Sequence, residues 1–334
     1  MTPREIVQRT ITFGHPERIA LALPEPYPDD TVWGGVTPDP SRKPSRTFPP
    51  EEGRKWEDEW GNIWAATTDF YQGEVIEGAL QDWSQLDSYR IPAFDSPARY
   101  QKAAAAFANT PGRYHIGGLP GFPFSIMRYL RRMDIFLADL LLYPAEVDRL
   151  AERVIALLFR CMDNWAAAGA DAVMYAEDWG TQDRLLVSPA MWRRIFKPYF
   201  LTLCGHARAR NLSVWMHSCG YIFDIVDDLI ECGVAVLQLD QPGLYGVNRL
   251  AADFGGRVTF YCPVDIQRVL PTGDIPRIEA FARDLVEKLG ACGGGFIAGY
   301  YESMEGIGVK PEWQDAACRA FVKCAGMHAP SGVA

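Results

Sequence analysis

The stretch that decides the fold runs from residue 170 to residue 301. Its apolar segments are ADAVMYAED (170–178), SVWMHSCG (213–220), VAVLQLDQP (234–242), RVTFYCPVD (257–265) and GFIAGYY (295–301). Each is a short run dominated by apolar side chains, the composition of a strand buried on both faces. Between them stand SPAMWRRIFKPYFLTLCGHARARN (188–211), IFDIVDDLIECG (222–233), NRLAADFGG (248–256) and IPRIEAFARDLVEKLGACGG (275–294), which read as helices. Apolar strands alternating with helices imply a parallel sheet covered by helices. No glycine-rich dinucleotide fingerprint follows any of the strands, which favours a closed barrel over a doubly wound sheet. The expected fold is a (β/α)8 TIM barrel, one domain spanning residues 1–334.

Outward from that core, residues 3–13 predict a short helix and RIALAL (18–23) a first strand. RYHIGGLPGF (113–122) is a strand running into a Gly/Pro loop. PFSIMRYLRRMDIFLADLLL (123–142) and PAEVDRLAERVIALLFRCMDNWAAAG (144–169) predict helices, the second with Pro at its first position and Gly near its end. The first half supplies fewer clean strands, so the count of eight is inferred from the architecture. Residues 25–65 are rich in Pro, Gly and charge and carry Trp33, Trp56, Trp60 and Trp64. WEDEWGNIW (56–64) and DFYQGEV (69–75) suggest a β-hairpin or insertion over about 25–75 that covers one end of the fold. A short flexible tail is expected over about 326–334.

With 48% hydrophobic and 22% charged residues, the composition is that of an ordinary globular protein. A formal charge of −9 argues against nucleic acid or an anionic membrane as partner, and leaves a small-molecule substrate open. The first 21 residues contain no uninterrupted apolar run of the secretory kind, and no window has the length of a spanning helix. Eight cysteines (161, 204, 219, 232, 262, 292, 318 and 324) are spread along the chain, which suggests reduced thiols rather than a disulfide framework. The expectation is a soluble cytoplasmic protein.

Each later strand turns polar at its C-terminal end: Glu177 and Asp178, His217 and Cys219, Gln238 and Asp240, Cys262, then Tyr300, Tyr301 and Glu302. Barrel active sites are built at that end, from strand tips and the loops that follow. His217 and Cys219 are spaced i, i+2, so on a strand both side chains point to one face and can reach one atom. Imidazole nitrogen and thiolate sulfur are donors that zinc favours, and catalytic zinc keeps three protein ligands and one open position. The expected ligand set is His217, Cys219 and Cys262, with Asp240 or an exchangeable group fourth. Glu177 or Asp178 can orient a substrate or donate a proton, and Tyr300 or Tyr301 can hydrogen-bond a leaving oxygen. Gln238 and Glu302 are expected to contact substrate. Trp179 and the tryptophans of 33–64 either line an aromatic pocket or pack in core and insertion.

The segments MTPREIVQRTITFGHPERIAL (1–21), AEDWGTQDRLLVSPAMWRRIFKPYF (176–200), HSCG (217–220) and CPVDIQRVLPTG (262–273) together resemble the uroporphyrinogen decarboxylase superfamily. The resemblance runs from about residue 2 to residue 323 and implies the same barrel. Its decarboxylases hold the tetrapyrrole carboxylates with an arginine-rich segment after the first strand. Here that position reads LPEPYPDDTVWGG (23–35), without arginine, whereas a polycarboxylate requires guanidinium partners. The chain is closer to the zinc-dependent corrinoid methyltransferases, whose His-x-Cys pair is matched by His217 and Cys219. Their third ligand, a cysteine near the last strand, falls where this chain has Gly299, Tyr300 and Tyr301. Either Cys262 replaces it or the metal site is altered or absent. The resemblance implies a zinc-dependent methyltransferase moving a methyl group between a methyl ether or thiol and a corrinoid (methylcobalamin) carried by a partner protein. It also suggests a homodimer. The alternatives are a metal-independent decarboxylase or lyase using Asp178, Tyr300 and His217, and a non-catalytic ligand-binding relative.

Overall fold

A computed structural model describes residues 1–49, 53–68 and 73–328 of the chain. Helix α1 (Pro3–Ile11) leads into two short strands, β1 (Ala20–Leu21) and β2 (Thr31–Gly34). Three antiparallel strands follow, β3 (Arg54–Glu57), β4 (Ile63–Ala66) and β5 (Glu74–Glu77). After α2 (Gln101–Ala108) and β6 (Tyr114–Gly118) come three helices, α3 (Pro123–Arg131), α4 (Met133–Leu142) and α5 (Pro144–Ala167). The chain continues through β7 (Ala172–Ala176), α6 (Pro189–Ile195), α7 (Lys197–Ala209), β8 (Ser213–His217), α8 (Val226–Cys232) and β9 (Val234–Gln238). It ends with α9 (Val247–Phe254), β10 (Thr259–Cys262), α10 (Ile275–Leu289), β11 (Phe296–Ala298) and α11 (Pro311–Cys324).

Eight parallel strands line up as β1-β11-β10-β9-β8-β7-β6-β2, a nearly closed (β/α)8 barrel. The remaining seam, between β1 and β2, is joined by Asp30. Its backbone N–H donates to Leu21 O (2.7 Å), and its carboxylate accepts from Leu21 N (2.9 Å) and pairs with Arg18 (2.6 Å). The strand that sequence reading missed is β2, whose TVWG lies inside the stretch expected to be an insertion. It pairs residue for residue with β6, from Thr31↔Tyr114 to Gly34↔Gly117. The separate antiparallel sheet occupies 54–77 instead. Residues Asp69 to Gln72 of DFYQGEV, and the expected tail from residue 329 onward, lie outside the described residues.

Two predicted helices are each two. The 123–142 segment breaks at Arg132, which takes a left-handed φ of 70°, and the turn lets Arg131 bond Asp139 across it (2.8 Å). The 188–211 segment breaks at Phe196, where Pro198 in the first turn of α7 has no N–H to continue the ladder.

Strand parity divides the buried residues into two sets. Ala20, Ala22, Tyr114, Ile116, Ala172, Trp215, Val236, Tyr261 and Ile297 pack together inside the barrel. Their alternates, among them Val173, Tyr175, Val214, Met216, Leu237, Phe260 and Cys262, pack outward against the helices. No helix among the described residues is long and apolar enough to cross a membrane.

Candidate active site

Parity and register decide which strand-tip residues meet. His217 pairs in register with Ala176 of β7 and Gln238 of β9, and Gln238 pairs with Tyr261 of β10. All four belong to the inward set, and so do Asp178, Cys219 and Asp240, two residues further along their chains.

Cys219 reaches the site because two loops cross closely behind it. A Cβ on Gly220 (φ 75°) would collide with the Gly180 carbonyl, and one on Gly180 would collide with the backbone of Tyr221. Only glycine at both positions permits this approach. Tyr221 N donates to Thr181 O (2.7 Å) and Trp179 N to Ser218 Oγ (3.2 Å). The glycines of AEDWG and HSCG thus serve a single crossing, which brings the β7 and β8 tips together.

The result is a cluster of three donors, Asp178, His217 and Cys219, whose ligand atoms lie within 4.8 Å of one another. Cys219 Sγ is 3.3 Å from His217 Nε2, and Asp178 Oδ1 is 3.5 Å from the same nitrogen. Asp178 Oδ1 also accepts the Cys219 backbone N–H at 2.8 Å. His217 Nδ1 bonds Gln238 Oε1, and Gln238 Nε2 donates to Asp240 Oδ1 at 2.7 Å. Because the carboxylate can only accept, the Gln238 amide must present its oxygen to the imidazole. Nδ1 then carries the proton and Nε2 keeps its lone pair toward Cys219 and Asp178. A histidine oriented from its far nitrogen beside a sulfur and a carboxylate is a donor set that suits zinc. Burial, with the charges of Asp178 and Asp240, pushes the Cys219 thiol up, and a bound divalent cation reverses such an effect.

The expected third ligand, Cys262, is not in this cluster. It stands one residue beyond inward-facing Tyr261, so its side chain points out of the barrel and is fully buried against the helices. Burial pushes its thiol far up. Asp240 faces inward, but it reaches His217 only through Gln238. Asp178, expected to be an acid–base group, stands in the cluster where Cys262 was expected.

Glu177 has the opposite parity to Asp178 and is completely buried. It accepts from Ser125 N (3.1 Å), in the first turn of α3, and from Trp179 Nε1 (3.1 Å). Desolvation outweighs these donors and raises its carboxyl to about 8. Trp179 is also fully buried, stacked on Phe124 at 3.9 Å between centroids, so it packs in the core and does not face a substrate.

Two cavities flank the cluster. A cleft of about 780 Å³ lies between the antiparallel sheet and helices α3 and α4, lined by Trp64, Val75, Tyr129 and Leu137, and ends at Arg128 and Asp178. Arg128 Nη2 is 3.9 Å from Asp178 Oδ2. The second cavity, about 440 Å³, is the barrel mouth, lined by Trp33, Gln238, Asp240, Tyr261, Tyr300 and Tyr301 among others. Tyr300 donates to Glu302 Oε1 (3.1 Å), and burial with that carboxylate raises its hydroxyl to about 12. Sequence reasoning named Trp33 only among four tryptophans, and did not single out Arg128, Tyr129 or Tyr261. Tyr261 follows from counting in twos along RVTFYC once the register is known.

No curated protein matches the sequence. Among solved structures, a methyltransferase from Methanosarcina mazei is similar at TM-score 0.62 and 18% identity, over 80% of this chain and 76% of that one. A D-psicose 3-epimerase gives TM-score 0.43 at 12% identity, covering 73% of this chain and 86% of that one. A D-allulose 3-epimerase from Methylomonas sp. gives 0.40 at 16%, covering 68% and 92%. At 18% identity the likeness to the methyltransferase is one of fold. Uroporphyrinogen decarboxylase (URO-D) is the family that matches by sequence, over residues 69–326, and that span is most of the chain. On that match, and with the nearly closed barrel in agreement, this chain belongs to the uroporphyrinogen decarboxylase (URO-D) family.

Proposed function

We propose that the protein is a zinc-dependent methyltransferase that moves a methyl group between a small methyl ether or thiol and a corrinoid on a partner protein. The observation that carries this reading is the convergence of His217 Nε2, Cys219 Sγ and the Asp178 carboxylate within 4.8 Å. The fold likeness to a methyltransferase agrees with it. So does the barrel mouth, whose lining among the described residues includes Asp29, Asp240 and Glu302 but neither lysine nor arginine. A tetrapyrrole polycarboxylate has no guanidinium to meet there.

His217, Cys219 and Asp178 would hold the metal, leaving the fourth position to substrate. Zinc in that setting supplies Lewis acidity, which keeps a thiol ionised or polarises an ether oxygen. The corrinoid supplies the methyl-carrying chemistry. The chain's own groups set the geometry. Gln238 fixes the His217 tautomer, and the Gly180–Gly220 crossing holds Asp178 against the Cys219 backbone. Tyr300 and Tyr301 stand at the mouth, where a hydroxyl can hydrogen-bond the departing oxygen and return a proton to it. Asp240 and the aromatic rings around it hold the body of the substrate.

Metal analysis tests the reading. The purified protein should carry about one zinc per chain, as catalytic three-ligand sites do. His217→Ala, Cys219→Ser and Asp178→Asn should each lose it, and Cys262→Ser should retain it. Methyl transfer to or from cob(I)alamin should disappear in the same three variants. Turnover by metal-free protein would contradict the reading and favour the metal-independent lyase.

A further inference from the structure

The barrel-mouth cavity is aromatic and acidic at once. Trp33 and Tyr261 both rest on the fully buried Trp215, at 6.4 and 5.9 Å between centroids, so one ring in the barrel interior sets the position of two in the cavity wall. Tyr300 and Tyr301 complete the aromatic lining. Trp33 is 44% exposed, a large ring left open to the cavity. Tyr261 is only 8% exposed.

Three carboxylates share this wall. Asp29 is already satisfied, bonded by Thr31 N (2.8 Å) and paired with Arg113 (2.9 Å). Asp240 and Glu302 form no ion pair among the described residues; their partners are the Gln238 amide and the Tyr300 hydroxyl. Asp240 is 7% exposed, and burial pushes its carboxyl up, so a cation placed beside it would favour its charged form where water screens poorly. Among the described residues no lysine or arginine lines the cavity.

Aromatic faces are negative at the centre of the ring and attract ammonium groups, and do so most strongly where the cation has lost its water. Asp240, a buried carboxylate without a cation beside it among the described residues, acts in the same direction, and exposed Glu302 adds a second negative charge at the rim. An anionic ligand would meet the repulsion of these carboxylates, and a neutral one would leave buried Asp240 without a counter-charge. A cavity of about 440 Å³ is of ordinary size for a small organic ligand.

We propose that the barrel mouth, with Trp33, Tyr261 and Tyr300 as its rings and Asp240 and Glu302 as its counter-charges, binds a small organic cation, an amine or quaternary ammonium group on the substrate. This rests on the proposed methyl transfer for its place in a reaction, but not for binding itself. The other cavity differs in kind: the cleft beside α3 is lined by Arg128 and Arg132 as well as acids, and shows no preference for a cation.

The test compares choline with its uncharged carbon isostere, 3,3-dimethylbutan-1-ol, by calorimetry on the purified full chain with zinc content measured in the same samples. Choline should bind at least tenfold more tightly than the isostere. Trp33→Leu and Glu302→Gln, both exposed side chains whose loss leaves the core intact, should each weaken choline at least threefold and leave zinc content unchanged. Equal affinity for the two probes, or no choline binding to folded wild-type protein, would overturn the proposal. Choline bound as well by both variants as by wild type would also overturn it. Choline binding in a protein without zinc would instead sink the methyl-transfer reading and leave this one standing.

Discussion

Gln238 joins two functional groups by one amide, accepting from His217 and donating to Asp240. Removing such an outer partner from a metal-binding histidine typically costs about 10–100-fold in metal affinity. Gln238→Leu should therefore weaken zinc by about that factor in competition with a chromophoric chelator, and unchanged affinity would contradict the assigned tautomer. Gly220→Ala places a Cβ into the Gly180 backbone at a φ of 75°. It should lower stability by about 1–3 kcal/mol, the scale of one strained residue, in thermal unfolding. The His217–Cys219 pair was legible in sequence because an i, i+2 spacing on a strand needs no tertiary knowledge. Asp178 as their neighbour was not, because it arrives through a loop crossing between two glycines 40 positions apart. Cys262 was misplaced by one residue of parity. Only the register Tyr261↔Gln238↔His217 shows which of Tyr261 and Cys262 faces the barrel.

At the level of elements, the later strands were legible because they are long apolar runs separated by amphipathic helices. Strand β2 was hidden, since its four residues lie among prolines and acids and its pairing partner is 83 positions away at Tyr114. What holds it beside β1 is Asp30, 2% exposed and bonded to both Leu21 and Arg18. Truncating one partner of a buried ion pair costs about 3–5 kcal/mol. Asp30→Ala should therefore lower the unfolding temperature sharply. A variant as stable as wild type would mean that the β1–β2 seam is held by something other than this residue. The same acid-rich segment, LPEPYPDDTVWGG, thus supplies the barrel's closure (Asp30) and part of its mouth (Asp29 and Trp33).

Over the whole molecule, adjacent residues at a strand tip divide their labour by parity: Asp178 meets His217 and Cys219 while Glu177, beside it, ties β7 to the first turn of α3. Burial raises the Glu177 carboxyl from 4.5 to about 8. Between those values the folded protein holds a proton that the unfolded chain has released, so stability is greatest below pH 4.5 for this group and falls as pH rises toward 8. Glu177→Gln should remove that dependence, giving a flatter stability profile between pH 5 and 8, on the order of a few kcal/mol of difference. A wild-type profile with no decline across that window would contradict the assignment.

The proposed methyl transfer depends most on one metal being held by His217, Cys219 and Asp178 together. The direct measurement is the zinc K-edge X-ray absorption spectrum of the purified protein. It should show a single sulfur at about 2.3 Å with the remaining ligands nitrogen or oxygen at about 2.0–2.2 Å, unchanged in Cys262→Ser. Two sulfurs in the wild-type shell, one of them lost in Cys262→Ser, or a shell with no sulfur at all, would contradict it.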